Sequence, residues 1–447
     1  MMDSLEDLYE LVEFNDNITQ DLYAKYNVKR GLRNPDGSGV LVGLTNISAV
    51  FGFTKKDEDV VPIDGELYYR GFSIKDLVKG FQDEGRHGFD ESAFLVLFGK
   101  LPTQEELDLY TQRLKALRPL YPGFNETVIL RYNCKNIMNM LGRSVLALYT
   151  FDNDPESITT RNLMHQSINL IAKFPTIVAY SYHAMRHKFY DDSLVVHHPR
   201  DDLTTVENFL YMLRKSGDFT KLEADTLDLA LMLHIDHGGG NNSTFTTHVV
   251  SSSGTDTYSA ITAAIGSLKG PLHGGANRSV TDMMDDFKEK VTDWSDEGEI
   301  EDHLRKVLTK KAFDKSGKVY GLGHAVYTKS DPRAVILKDK AAELAKGKDR
   351  YEEFKLYDTI ERLTPDVFED VKGYPKIISP NVDFYSGFVY DCLDIPRDVY
   401  TPLFAVARIV GWCAHRIEEI RNGKKIIRPA YKNVAYFKKY VQLTERL

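Results

Sequence analysis

From Ser73 onward the apolar residues of this chain recur every three to four positions, and no strand-like alternation comes between the helical runs. That property excludes most folds open to a chain of this size, because a Rossmann-type sheet needs strands alternating with helices. Helical runs are predicted at 131–149, 165–187, 205–215, 221–235, 256–268, 276–288, 301–313, 332–347, 351–363 and 401–420. Thr103 followed by Glu106 has capping-box spacing and opens a further amphipathic stretch. The one β-like tract is 37–72, where VLVGLTNISAVFG and VPIDGELYYRG join β-branched and aromatic residues to Gly and Asp-Gly turn signals. A small sheet or hairpin is therefore expected near the N-terminus of an otherwise all-α protein. Segment 256–268 is rich in Ala, Ser and Gly, which let a neighbouring backbone approach, so that helix is expected to be buried. The polar tracts 191–204, 292–300 and 314–318 read as loops.

Composition narrows function. The 447 residues suffice for two or three compact units, and 65 acidic against 57 basic residues give a net charge of -8. Such a chain has no general attraction for nucleic acid or an anionic membrane, so an anionic ligand must be held by a local cluster. Cys134, Cys392 and Cys413 are odd in number and far apart, which argues for reduced thiols and a cytoplasmic protein. The acidic opening MMDSLEDLYELVEF lacks the features of a signal or transit peptide, and no apolar run reaches the roughly 18 residues of a membrane span.

Four clusters set polar or titratable residues beside glycines at the end of an apolar helical run. In LHIDHGGGNNSTFTTH, His234 and His237 end a helix that Gly238, Gly239 and Gly240 unwind. Residues three apart share a helix face, which leaves a zinc pair open, but no third ligand accompanies it. The HGGG run imitates a lipase oxyanion hole, yet the chain has no GxSxG elbow to go with it. A helix C-cap with a core histidine is the plainer reading of His234. In GPLHGGAN, His273 precedes a helix whose positive N-terminus would keep the ring neutral and able to donate to a developing enolate. A polar turn is the alternative.

In VYGLGHAVYTKSDPR, Gly321 and Gly323 flank His324, and Asp331-Pro332-Arg333 opens the next helix. Arg333 suits a carboxylate, whereas GLG alone is a very weak phosphate signal. In SPNVDFYSG, Asp383 lies among Val382, Phe384 and Tyr385, company that raises a carboxyl pKa toward general-base work unless the residue is a mere helix N-cap. Arg408 interrupts the apolar run PLFAVARIVGW and needs an anionic partner, either a ligand or an internal carboxylate such as Glu418 or Glu419. Arg428, in KKIIRPAYK, is an anion ligand or part of a basic surface.

Taken in order, HxDHGGG, GPLHGGAN, GxGHAVY followed by DPR, NVDFYSG and FAVAR resemble the citrate synthase family, and DGELYYRG resembles that family's entry hairpin. The resemblance implies an all-α homodimer that condenses acetyl-CoA with oxaloacetate and hydrolyses citryl-CoA to citrate and CoA, with no metal or other cofactor. It implies a large domain of residues 1–273 and 382–447 and a small domain, 274–381, closing over the cleft. Carried over by motif, Asp383 abstracts a methyl proton of the thioester, His273 hydrogen-bonds the enolate oxygen, and His324 protonates the oxaloacetate carbonyl. His237, Arg333 and Arg408 hold oxaloacetate, and Arg428 enters from the partner subunit. Some members carry a basic residue four positions after the histidine of GHAVY, where this chain has Thr328. Lys329 is then the candidate CoA phosphate contact, and the backbone around Val319, Gly321 and Gly323 the candidate adenine cradle.

The chemistry asks for such a set independently. A thioester α-proton is too weakly acidic for a lone carboxylate, so its removal must be coupled to oxyanion stabilisation away from water. The rival is 2-methylcitrate synthase, which would use the same residues on propionyl-CoA. One methylene in a pocket is worth only about 1–3 kcal/mol, so motifs do not separate the two.

Overall fold

The computed structural model describes residues 5–6, 9–11, 17–35, 37–56, 59–324 and 326–446. A short helix α1 (Gln20–Lys25) precedes three antiparallel strands, β1 (Ser48–Lys56), β2 (Asp59–Tyr69) and β3 (Phe72–Ser73), ordered β1-β2-β3. Arg70 and Gly71 both take left-handed φ, 50° and 89°, which makes the tight turn from β2 into β3. The sheet is smaller than the 37–72 tract suggested. Leu41 and Leu44 stand 85% and 90% exposed, and no strand among the described residues lies beside 40–46 to pair its backbone. The Asp64-Gly65 signal is not a turn either, since both residues lie inside β2.

Helices make up the rest: α2 (Ile74–Asp83), α3 (Phe89–Phe98), α4 (Gln104–Leu117), α5 (Ile137–Leu148), α6 (Thr160–Tyr190), α7 (Thr205–Leu213), α8 (Lys221–His234) and α9 (Asn242–Ser251). They continue with α10 (Thr257–Lys269), α11 (Ala276–Lys290), α12 (Glu297–Leu308), α13 (Pro332–Gly347), α14 (Tyr351–Lys372), α15 (Val382–Cys392) and α16 (Tyr400–Asn422). The Thr103/Glu106 box caps α4 with both reciprocal bonds, and Thr204/Glu207 and Thr220/Glu223 repeat it at α7 and α8. Helix α12 starts before its predicted position because Asp296 accepts from the Gly298 and Glu299 amides. Helix α14 runs through Pro365, beyond the 351–363 run that the apolar periodicity predicts.

Helices α6 and α16 are buried on nearly every face, the signature of core helices, and they pack on each other. Helix α16 also touches α9, α10, α8 and α3, and the Ala- and Ser-rich α10 buries one face against α5, α9 and α16. Helix α15 packs chiefly on α13 and α11, with a smaller contact to α8.

The hairpin reaches across to the loop between His324 and α13. The Gly65 amide donates to the Ser330 carbonyl at 3.1 Å, and Ser330 Oγ donates to Asp64 at 3.1 Å. A Cβ at Gly65 would collide with that carbonyl, and one at Gly52 with the carbonyl of Val326. These two glycines let backbone lie directly on backbone.

Candidate active site

The histidines lie in turns or loops, Arg333 and Asp383 in the first turns of helices, and Arg408 is carried through the core by α16. His237 follows the C-terminus of α8, His273 lies in the turn between α10 and α11, and His324 lies in the loop before α13. Arg333 is in the first turn of α13, which Asp331 caps and Pro332 starts, and Asp383 is in the first turn of α15, capped by Asn381.

The histidines are presented as neutral donors. The amides of Val326 and Tyr327 both donate to His324 Nδ1 at 3.0 Å, so the ring proton stands on Nε2. Burial, with Arg333 adding to it, pushes the His324 pKa down to about 4. His273 Nε2 faces the Ser243 amide at 3.4 Å and Ser243 Oγ at 2.9 Å, which leaves Nδ1 to carry the proton. The Ser243 hydroxyl is itself fixed by Trp412, whose Nε1 donates to it at 3.0 Å and leaves its proton for His273 Nε2. Burial and then Arg408 push the His273 pKa down to about 4. The sequence suggested that α11 would keep this ring neutral; the amide that meets it belongs to the first turn of α9. His237 Nε2 meets Tyr327 Oη at 3.3 Å and packs edge-on to His324 with ring centres 5.2 Å apart. Its pKa is lowered by burial first, then by Arg333 and His324.

The carboxylate and the arginines complete the cluster. Asp383 accepts no hydrogen bond through its carboxylate among the described residues, and burial raises its pKa to about 6 against the pull of Arg333 and Arg408. Arg333 forks onto Asp331, Nε to Oδ1 at 3.0 Å and Nη2 to Oδ2 at 2.8 Å, while Asp331 also accepts the Val382 amide at 3.2 Å. Arg408 is fully buried. Its Nε donates to the His234 carbonyl at 2.8 Å and its guanidinium lies 4.7 Å from the Phe404 ring centre, but Nη1 and Nη2 have no partner. Glu418 and Glu419 do not serve it, since they bind the Asn46 amide and His248. Arg416, eight residues along the same helix, is equally buried yet bonded to Thr257, Ser251 and Thr255. A buried cation with two bare donors is chemically suited to an anionic ligand, whereas Arg416 is already satisfied.

Other assignments fall outside this cluster. Arg428 is exposed in the segment after α16 and makes no hydrogen bond or ion pair with the cluster. Lys329 is exposed on a groove of about 410 Å³ shared with Lys338, Arg362 and Pro380, next to the cluster rather than in it. Val319 is buried, Gly321 lies against Val280 and Phe384, and the carbonyls of Gly321 and Gly323 accept from the Asn381 amide and side chain. Those backbone groups brace the start of α15. His234 and His237 do not converge on a common ligand: His234 Nδ1 meets the Ala230 carbonyl at 2.6 Å, and its ring packs on Phe404. Among the described residues, no group of three or more His, Cys, Asp or Glu is arranged to hold a metal ion. No described helix is long and apolar enough to cross a membrane.

Sequence reading missed Ser243, Trp412, Tyr327 and Phe404, ordinary residues in helical or aromatic context. Asp331 was legible only as a helix start, although its DPR setting is what holds Arg333.

Fold and cluster define an all-α protein whose cleft couples neutral imidazole donors and an unpaired carboxylate to buried cations. Comparison with known proteins narrows this class: residues 36–430 match the family described as citrate synthase, C-terminal domain. The chain belongs to the citrate synthase family. A citrate synthase from Synechocystis is 37% identical over 388 residues, 86% of this chain and 89% of that one. A 2-methylcitrate synthase from Corynebacterium glutamicum is 32% identical over 427 residues, 94% of this chain and 98% of its own. In structure the chain resembles a citrate synthase from Thermoplasma acidophilum in ternary complex with carboxymethyl coenzyme A and oxaloacetate. The TM-score is 0.75, with 26% identity over 94% of this chain and 99% of that one.

Proposed function

We propose that this protein condenses acetyl-CoA with oxaloacetate to citryl-CoA and hydrolyses that thioester to citrate and CoA. The observation that carries the reading is the bare Arg408 guanidinium, buried beside the uncharged His273 and the unpaired Asp383. Asp383 takes a methyl proton of the thioester while His273 Nδ1–H donates to the carbonyl oxygen as it becomes an enolate. The enolate carbon attacks the oxaloacetate carbonyl, whose oxygen is protonated from His324 Nε2. Water then cleaves the thioester. His237, Arg333 and Arg408 hold oxaloacetate, with Arg408 Nη1 and Nη2 meeting one carboxylate bidentately. No step calls on a metal, and turnover should survive exhaustive chelation.

The closing unit is residues 274–381, and α15, through its packing on α11 and α13, would travel with it. Lys329 contacts a CoA phosphate, a role favoured by its exposed position on the groove beside Asp331. The working form is a homodimer in which Arg428 enters the neighbour's site. In its support, the segment after α16 exposes Tyr431, Tyr436, Phe437 and Tyr440 by 77% or more, apolar surface suited to a second copy. The free thiols of Cys134, Cys392 and Cys413 fit a cytoplasmic location.

The second reading, 2-methylcitrate synthase, is favoured by the likeness to the C. glutamicum enzyme of that name. Thiol release measured with acetyl-CoA and propionyl-CoA, each with oxaloacetate, decides between them. A higher kcat/KM for acetyl-CoA supports the first, and a higher one for propionyl-CoA replaces it with the second.

A further inference from the structure

Behind the cleft runs a chain of four titratable side chains that the proposed chemistry does not use. Glu419 Oε2 meets His248 Nδ1 at 2.8 Å, His248 Nε2 meets His415 Nδ1 at 3.1 Å, and His415 Nε2 meets Asp236 Oδ2 at 3.1 Å. Asp236 and His415 are fully buried, while His248 and Glu419 are nearly so. Each of the three gaps has hydrogen-bond length, and each needs one proton to be a bond. Two ionised carboxylates bring no proton and two neutral imidazoles bring two. With only those, the outer gaps close and the inner nitrogens face each other lone pair to lone pair.

We infer that the Asp236–His415–His248–Glu419 chain holds a third proton between its two imidazoles and acts as a positioning unit for the site. Carboxylates favour that proton, since Glu418 Oε2 lies 3.8 Å from His415 Nδ1 and three carboxylates face two rings, whereas burial first and then the neighbouring His415 ring pull the His248 pKa down against it. Arg70, whose charge acts on Glu418 and Asp236, and Arg408, which acts on Asp236, oppose it from farther away.

The chain ties together three supports of the cluster: the turn after α8, α9 and α16. Asp236 precedes His237 and accepts from the Gly238 amide at 3.0 Å and from the Ser48 hydroxyl, which fixes the glycine turn. His248 is on α9, whose first turn mounts His273 through Ser243. His415 is on α16, one turn past Trp412 and two past Arg408. Losing the third proton sets the inner nitrogens against each other and forces α9 and α16 apart, and His273 and Arg408 move with them. The consequence for oxaloacetate rests on the function proposed above; the proton count does not.

Two measurements on the intact protein test this. In nitrogen NMR of histidine-labelled protein at pH 6.5, three of the four ring nitrogens of His248 and His415 should carry protons. Only two, with both inner nitrogens bare, would overturn the inference whatever reaction the protein catalyses. In kinetics, kcat/KM for oxaloacetate should fall about tenfold per pH unit once the third proton leaves, and His248→Gln should lack that alkaline limb. The same limb in folded His248→Gln would reject the positioning role.

Discussion

Replacing Arg408 by Met should move binding and folding in opposite directions, because only the ligand satisfies this guanidinium. In the free protein two buried donors, Nη1 and Nη2, go without partners. Each such group costs about 1–3 kcal/mol, whereas the lost Nε bond leaves just the His234 carbonyl bare, so the variant should gain roughly 1–3 kcal/mol. For a chain of this length that is a rise of about 1–3 °C in Tm. Oxaloacetate loses two charge-assisted hydrogen bonds of about 1.5–3 kcal/mol each, weakening Kd by roughly 10²- to 10⁴-fold. Thermal melting without ligand and titration calorimetry with oxaloacetate read the two effects separately. Arg416→Met is the control: with its bonds to Thr257, Ser251 and Thr255 gone, Tm should drop and oxaloacetate affinity should hold. A lower Tm with unchanged affinity in Arg408→Met would show this arginine to be a structural strut and refute the reasoning.

Asp383→Asn should stop thiol release, and in the wild type the rate should rise with pH through about 6 as the carboxyl ionises. Because folding raises this pKa, the group's stabilising effect is complete below the ordinary 3.8 and lost as pH climbs through about 6; the Asn variant should therefore melt higher than wild type at pH 8. Normal thiol release in it would make Asp383 merely a helix-terminus residue. Gly65→Val should drive the hairpin off the Ser330 carbonyl at a cost of about 1–3 kcal/mol and raise KM for oxaloacetate, while Gly80→Ala, facing open space, should do neither. Mixed dimers of Arg428→Ala and Asp383→Asn chains contain one site with both defects and one with neither, so about half of wild-type activity should return if Arg428 crosses the interface. Verified heterodimers that stay inactive would assign Arg428 to its own subunit or to no site.

What could be read in the sequence follows from how local each signal is. Helix α13 begins and ends where periodicity and Asp331-Pro332 put it, because cap, proline and apolar spacing agree within a few residues. Helix α14 outruns its predicted end because its packing on α12 and α13 carries it past Pro365. Histidines and arginines beside glycines stood out as site candidates, since titratable groups in apolar runs need a reason to be there. Their mountings were hidden. Trp412, Ser243 and His273 are far apart in sequence and meet only when α16, α9 and the turn after α10 pack together. The same holds for His248 and His415, 167 positions apart.

The charges of the cluster bear on the homodimer proposed above. At neutral pH Arg333 and Arg408 bring two positive charges, Asp331 and Asp383 two negative ones, and the three histidines none. Arg333 is already forked onto Asp331, so one of the two cations is neutralised before any ligand arrives. Oxaloacetate adds two negative charges, and an enolate forming beside it adds a third in a site that burial keeps at low dielectric. Arg33 contributes at the rim, where its charge reaches His324. That leaves a deficit which the described residues of the cluster do not close, and in the homodimer proposed above Arg428 of a second copy would reduce it. The segment that carries Arg428 away from α16 is exposed and aromatic, so if the proposed dimer forms through it, the chemistry of the site and the association of two subunits would depend on each other.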